Sequence, residues 1–133
     1  MSDGQQASVR VLVVDDSQPV RDLLVVNLEL EGLEVRVAGD GVEGVAAARD
    51  WKPDVVTMDV VMPRLDGFGA LEQLRDDPTT AHIPVVMVTG RAQAADRARG
   101  ELLHVDAYLT KPFEPNELVA VVNELARTGR RYP

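Results

Sequence analysis

Five short apolar runs punctuate the chain: VRVLVV (9–14), EVRVA (34–38), DVVTM (54–58), PVVMV (84–88) and AYLT (107–110). They are rich in Val, and three are nearly continuous rather than alternating. That is the pattern of parallel strands covered on both faces. Between them, apolar residues recur at helical spacing. Val20, Leu23, Leu24 and Leu28 fall at i, i+3, i+4 and i+8, and Val45 with Ala48 marks a shorter second segment. Phe68, Leu71 and Leu74 mark a third, and Leu118, Val121, Val122 and Leu125 give the clearest amphipathic helix. Pro19 suits the first turn of the first helix, and Gly32 suits the cap that ends it. In the segment 92–103, Ala95, Ala98 and Leu102 share a face, but Gly100 costs about 1 kcal/mol relative to Ala. A marginal fourth helix is expected there.

The order is therefore strand then helix, five times. Helical crossovers between strands imply an α/β fold, a doubly wound parallel sheet with helices on both faces. No repeat, low-complexity stretch or second domain interrupts it. A single domain is expected over 1–133, with a core of about 8–127 and loose ends at 1–7 and 128–133.

Composition narrows the function classes. There is no Cys among 133 residues, which excludes disulfides and thiolate metal sites. No apolar run approaches the ~20 residues of a membrane span, and the polar start MSDGQQAS is not a signal peptide. A cytoplasmic protein without a membrane partner is expected. The net charge of −8 argues against direct binding of nucleic acid through a broad basic surface. Of the 14 basic residues only Lys52 and Lys111 are Lys, so a Lys can mark a place where a compact point charge is wanted.

The polar residues that follow the strands carry the chemistry. Asp15 and Asp16 follow the first, Asp59 the third, Thr89 and Gly90 the fourth, and Lys111 and Pro112 the fifth. Gly39-Asp40-Gly41, after the second, reads as an ordinary turn. Each has a plain reading alone: a helix cap for Asp15 or Asp16, a turn residue for Asp59, a strand-end hydroxyl for Thr89, a solvated amine for Lys111. Their convergence is what matters, because open α/β sheets bind ligands beyond the carboxyl ends of their strands. Three carboxylates gathered there repel one another unless a cation is present, and a hard divalent ion such as Mg²⁺ relieves this. Lys111 and Thr89 then suit a phosphoryl group better than a metal.

With these residues in place, the chain resembles the receiver domain of two-component response regulators. The resemblance rests on VLVVDDS with Asp15 and Asp16, MDVVMPRLDG with Asp59, VVMVTG with Thr89, and YLTKPF with Tyr108, Lys111, Pro112 and Phe113. It spans nearly the whole chain in order. It implies a flavodoxin-like (βα)5 fold with strand order 2-1-3-4-5, which sets the first and third strands side by side. It implies Asp59 as phosphoacceptor, with Mg²⁺ (Mn²⁺ as a substitute) held by Asp16, Asp59 and the backbone carbonyl of Val61, and by Asp15 through water. Lys111, Thr89 and Gly90 would contact the phosphoryl group, and Thr89 with Tyr108 would form the switch. Lys111–Pro112 would be a cis peptide that aims the lysine. Pro63 and Gly67 would shape the loop after Asp59.

The partners implied are a sensor histidine kinase or phosphotransfer protein upstream and an unidentified protein downstream. That downstream partner would be reached through the face made by the 92–103 segment, the fifth strand and the last helix. A monomer or a phosphorylation-dependent dimer is expected, as a stand-alone receiver or part of a larger regulator. The role is that of a signalling domain that catalyses only its own phosphotransfer and autodephosphorylation. One departure is His104-Val105, where many relatives carry Gly-Ala. His104, and Arg91, Arg97 and Arg99, read as surface residues. Two competing classes are an aspartate-nucleophile phosphatase of the haloacid dehalogenase type and a flavodoxin-like cofactor binder. The first wants D-x-D after the first strand and the second a Ser/Thr/Gly-rich loop, whereas DDSQPV is acidic and has its Asp residues adjacent.

Overall fold

The computed structural model describes residues 8–90, 98 and 105–130. The elements are β1 (Arg10–Val14), α1 (Gln18–Leu30), β2 (Glu34–Ala38), α2 (Gly41–Trp51), β3 (Val55–Met58), α3 (Gly67–Asp76), β4 (Val85–Thr89), β5 (Ala107–Thr110) and a C-terminal helix (Pro115–Thr128). The strands form one parallel sheet in the order β2-β1-β3-β4-β5, as the resemblance implied. The helix expected over 92–103 lies outside the described residues, Ala98 apart, as do His104, Arg91, Arg97 and Arg99.

The continuous Val runs are explained by two cores. Successive strand residues point to opposite faces, so a strand buried on both must be apolar throughout. Leu12, Val14, Val56, Met58, Val85 and Met87 face α2 and α3, against Trp51, Phe68, Leu71 and Leu74. Val11, Val13, Val55, Val86 and Val88 face α1 and the C-terminal helix, against Leu24, Leu28, Leu118, Val122 and Leu125. One reading of the helical pattern changes. Leu24 and Leu28 are buried, but Leu23 is 52% exposed and lines an open groove with Val20, Lys111, Pro112 and Phe113.

Side chains close the helix starts. Ser17 caps α1 ahead of Pro19, Asp40 caps α2, and Asp66 caps α3. The C-terminal helix opens on a reciprocal pair, Glu114 with Glu117. Each cap satisfies backbone N–H groups that have no partner inside the helix. Gly32, at φ 84, ends α1 in the left-handed region.

The sheet edge at the amino ends of the strands has its own fastenings. The guanidinium groups of Arg10 and Arg36 both lie over the indole of Trp51, 4.5 and 4.7 Å from its centroid. Asp106, 2% exposed, accepts from the Val85 N–H at 2.9 Å and pairs with Arg75 at 3.0 Å and Arg130 at 3.5 Å. Burial, with Arg130 nearby, pushes the Arg75 pKa down to about 10. The last helix runs through Thr128, and Arg130 docks on Asp106, so the chain is held beyond the point where a loose end is expected. Removing one partner of a buried ion pair leaves an uncompensated charge. Asp106→Ala should therefore lower the unfolding free energy by roughly 3–5 kcal/mol in urea denaturation. A loss below about 1 kcal/mol would show that the pair does not hold these segments together.

Candidate functional site

Register alone brings the two main carboxylates together. β1 and β3 pair with Val14 opposite Met58, so Asp15 and Asp59, the next residues, leave the sheet side by side. The Asp59 N–H donates to the Val14 carbonyl at 3.0 Å, and the Asp15 N–H to that of Ala38 at 3.1 Å. On the other flank, Thr110 lies opposite Thr89, which places Lys111 and Gly90 at the same edge. Five strand-end positions expected to matter thus share one rim.

Lys111 ties the site together. Its Nζ donates to Asp15 Oδ2 at 2.9 Å and to Asp59 Oδ2 at 3.3 Å. Asp15 is 2% exposed and Asp59 8%, whereas Asp16 stands in solvent. Oxygens of all three carboxylates lie within 4.8 Å of one another. The second oxygens of Asp15 and Asp59 are also engaged: Asp15 Oδ1 accepts from the Ser17 N–H at 2.9 Å, and Asp59 Oδ1 from the Val61 N–H at 3.4 Å. Burial pushes the Asp59 pKa above its ordinary value; Lys111 opposes that rise and Asp15 adds to it. Burial works against the charge of Lys111, but Asp15 and Asp59 outweigh it, and the lysine pKa is raised. Carboxylate oxygens alone, two of them held by a single lysine, fit a hard divalent cation better than a soft one.

The loop after Asp59 is shaped by close approach. A Cβ at Gly67 would fall on the Asp59 carbonyl oxygen, and the Gly67 N–H donates to the Val60 carbonyl at 2.8 Å. Gly67 therefore lets α3 start directly against the strand that carries Asp59. Val61 is 48% exposed beside the carboxylate. Tyr108 is half-buried in β5 opposite Met87, packed against the core that α2 and α3 cover. Lys111–Pro112 is cis.

Three residues at this rim were not singled out by sequence. Arg21 donates from α1 to the Asp15 carbonyl at 2.7 Å. Arg64, in the loop after Asp59, pairs with Asp40 at 3.3 Å. Asp40 could have been found: Asp40 followed three residues later by Glu43 is a helix-start signature, and its Oδ1 accepts from the Glu43 N–H at 2.8 Å. Nothing local in the sequence marks Arg21 or Arg64.

Comparison with known proteins agrees with this arrangement. A family model for the response regulator receiver domain matches residues 11–123. The DNA-binding dual master transcriptional regulator RpaA of Synechocystis is 41% identical over 93% of this chain, which spans 52% of that protein. The chain thus covers about half the length of that relative. Protein PilH of Pseudomonas aeruginosa is 45% identical over 86% of this chain and 94% of its own length. The chemotaxis protein CheY4 of Vibrio cholerae superposes with a TM-score of 0.84 at 31% identity, covering 89% of this chain and 98% of that one. With the 2-1-3-4-5 sheet, the carboxylates of Asp15, Asp16 and Asp59 and the lysine that joins two of them all in one matched span, the chain belongs to the response regulator receiver domain family of two-component signalling.

Proposed function

We propose that Asp59 is the phosphoacceptor of a signalling switch, charged by the phosphohistidine of a sensor histidine kinase or phosphotransfer protein. The observation that carries this reading is the Lys111 ammonium set between Asp15 and Asp59. Lys111 opposes the rise that burial and Asp15 impose on the Asp59 pKa, and so favours the ionised form whose carboxylate oxygen is the nucleophile. Its oxygen attacks phosphorus, the phosphorus–nitrogen bond breaks, and the electron pair leaves on the donor imidazole. Phosphoryl transfer asks little covalent chemistry of a protein beyond an in-line nucleophile and cations over the equatorial oxygens.

Asp15, Asp16, Asp59 and the Val61 carbonyl are the groups that would hold Mg²⁺, with Asp15 acting through water. Bound there, the ion supplies positive charge to the phosphoryl oxygens. Lys111 moves from pairing carboxylates to pairing a phosphoryl oxygen, and Thr89 and Gly90 take up the others. Tyr108, half-buried in β5 opposite Met87, follows Thr89 and passes the change to the partner-facing surface. The downstream target is a protein, and activation leaves the domain monomeric or dimerises it.

Acetyl phosphate with Mg²⁺ should add one acid-labile phosphoryl group, lost in Asp59→Asn, by intact-mass spectrometry. An acid-stable adduct, or one that survives the substitution, would sink the assignment. Val61 presents an apolar side chain where an attacking water would need a hydrogen-bond partner, so the acyl phosphate should be comparatively long-lived. Val61→Asn is expected to speed its loss severalfold; an unchanged or slower rate counts against this role. The raised Asp59 pKa fixes the sign of the pH dependence. The folded chain holds the Asp59 proton to higher pH than the unfolded chain, so the metal-free protein loses stability as pH rises through that window. Mg²⁺ competes with this proton. Its affinity should climb as pH rises from acid toward neutral and level off above the Asp59 pKa, with proton release visible in buffer-dependent calorimetric heats. A pH-independent affinity would contradict the coupling.

A further inference from the structure

The loop that follows Asp59 is fastened at two points, and only one belongs to the catalytic cluster. Its base is fixed where Gly67 abuts the Asp59 carbonyl. Its tip is Arg64, one of two non-glycine residues at positive φ among the described residues, at φ 69. The Leu65 N–H donates back to the Pro63 carbonyl at 2.7 Å, closing a three-residue turn on Arg64. An L-residue holds this left-handed conformation only where its surroundings impose it. Two contacts do so here. Arg64 Nη1 lies 3.3 Å from Asp40 Oδ2, a carboxylate 8% exposed. A Cβ at Gly41 would fall on the Leu65 carbonyl oxygen, so the β2–α2 turn bears directly on this loop.

Asp40 is itself buried and tied down. Its Oδ1 caps α2, and β2, which precedes it, is in register with β1. The pair thus runs from a rigid helix start to the tip of a loop that carries Val61, whose N–H reaches Asp59 Oδ1. We propose that Arg64 is a positioning residue for the cation site: paired with Asp40, it holds the Val61 segment where its carbonyl can join the Asp15, Asp16 and Asp59 carboxylates. This rests on the reading of that cluster as the Mg²⁺ site. Arg64 touches neither the metal nor the phosphoryl group; it reduces the number of loop arrangements that binding must select against.

The test is a double-mutant cycle on Mg²⁺ affinity by calorimetry with the full chain, using Arg64→Ala, Asp40→Asn and both together. Asn is as good a helix cap as Asp, so Asp40→Asn removes the charge and spares α2. Each single variant should bind Mg²⁺ about threefold more weakly, a size suited to a half-exposed ion pair. The double variant should be no weaker than either single, because both remove the same link. Arg64→Lys should bind within about twofold of the parent. Without metal, the amides of Val61 and Leu65 should exchange faster in Arg64→Ala. Singles that bind like the parent, or losses that add in the double variant, would overturn the proposal while leaving the metal site intact. A parent chain that takes up no Mg²⁺ would instead remove the site and this inference with it.

Discussion

A carboxylate held almost out of water at the end of an apolar strand is costly unless a positive charge meets it. In this molecule Lys111 meets two at once, from 96 residues beyond Asp15 and 52 beyond Asp59. The sheet order makes this possible. Asp15 and Asp59 share a lysine here because β1 and β3 are neighbours, in a register that ends both strands together. Parallel pairing in turn demands helical crossovers, and these cover both faces and fill the strands with Val. The two cores, the Val-rich strands and the acidic rim are parts of one parallel arrangement.

The rim is built with a graded hold. Asp15 is locked by Lys111, by the Ser17 N–H and by the Arg21 contact to its carbonyl. Asp59 has weaker attachments, at 3.3 Å to Lys111 and 3.4 Å to the Val61 N–H. Asp16 stands in solvent. The most rigid carboxylate is thus the one assigned an indirect role, and the least tightly held buried one is the assigned nucleophile. That division suits a residue that must give up its present contacts when modified.

What the chain disclosed in advance was what physics confines to short range. Asp59 could be found because a carboxylate after an apolar run, followed by Pro63 and Asp66-Gly67, breaks the strand pattern in a way a strand would not. The β-strands were legible because burial on both faces removes polar residues from them. Leu23 was misplaced because helical spacing locates a stripe and not its width; it lies one residue, 100° of turn, from Leu24, and that difference takes it to the flank. The Asp106–Arg75–Arg130 contact joins three distant segments whose meeting depends on the finished fold. Arg64 was silent for a different reason: positive φ in a non-glycine residue is imposed by neighbours, and the residue itself carries no trace of it.

The contact of Trp51 with two arginines carries an optical consequence. It is the chain's single tryptophan, seated near the start of β1, while the acidic rim lies beyond that strand's far end. Five residues of strand separate them by roughly 16 Å. The indole emission of this protein therefore reads the closed, arginine-bound edge of the sheet. A change in its colour or intensity on modification of Asp59 would mean that a disturbance had travelled the full length of a buried strand, and constancy would mean that the edge had stayed dark to it.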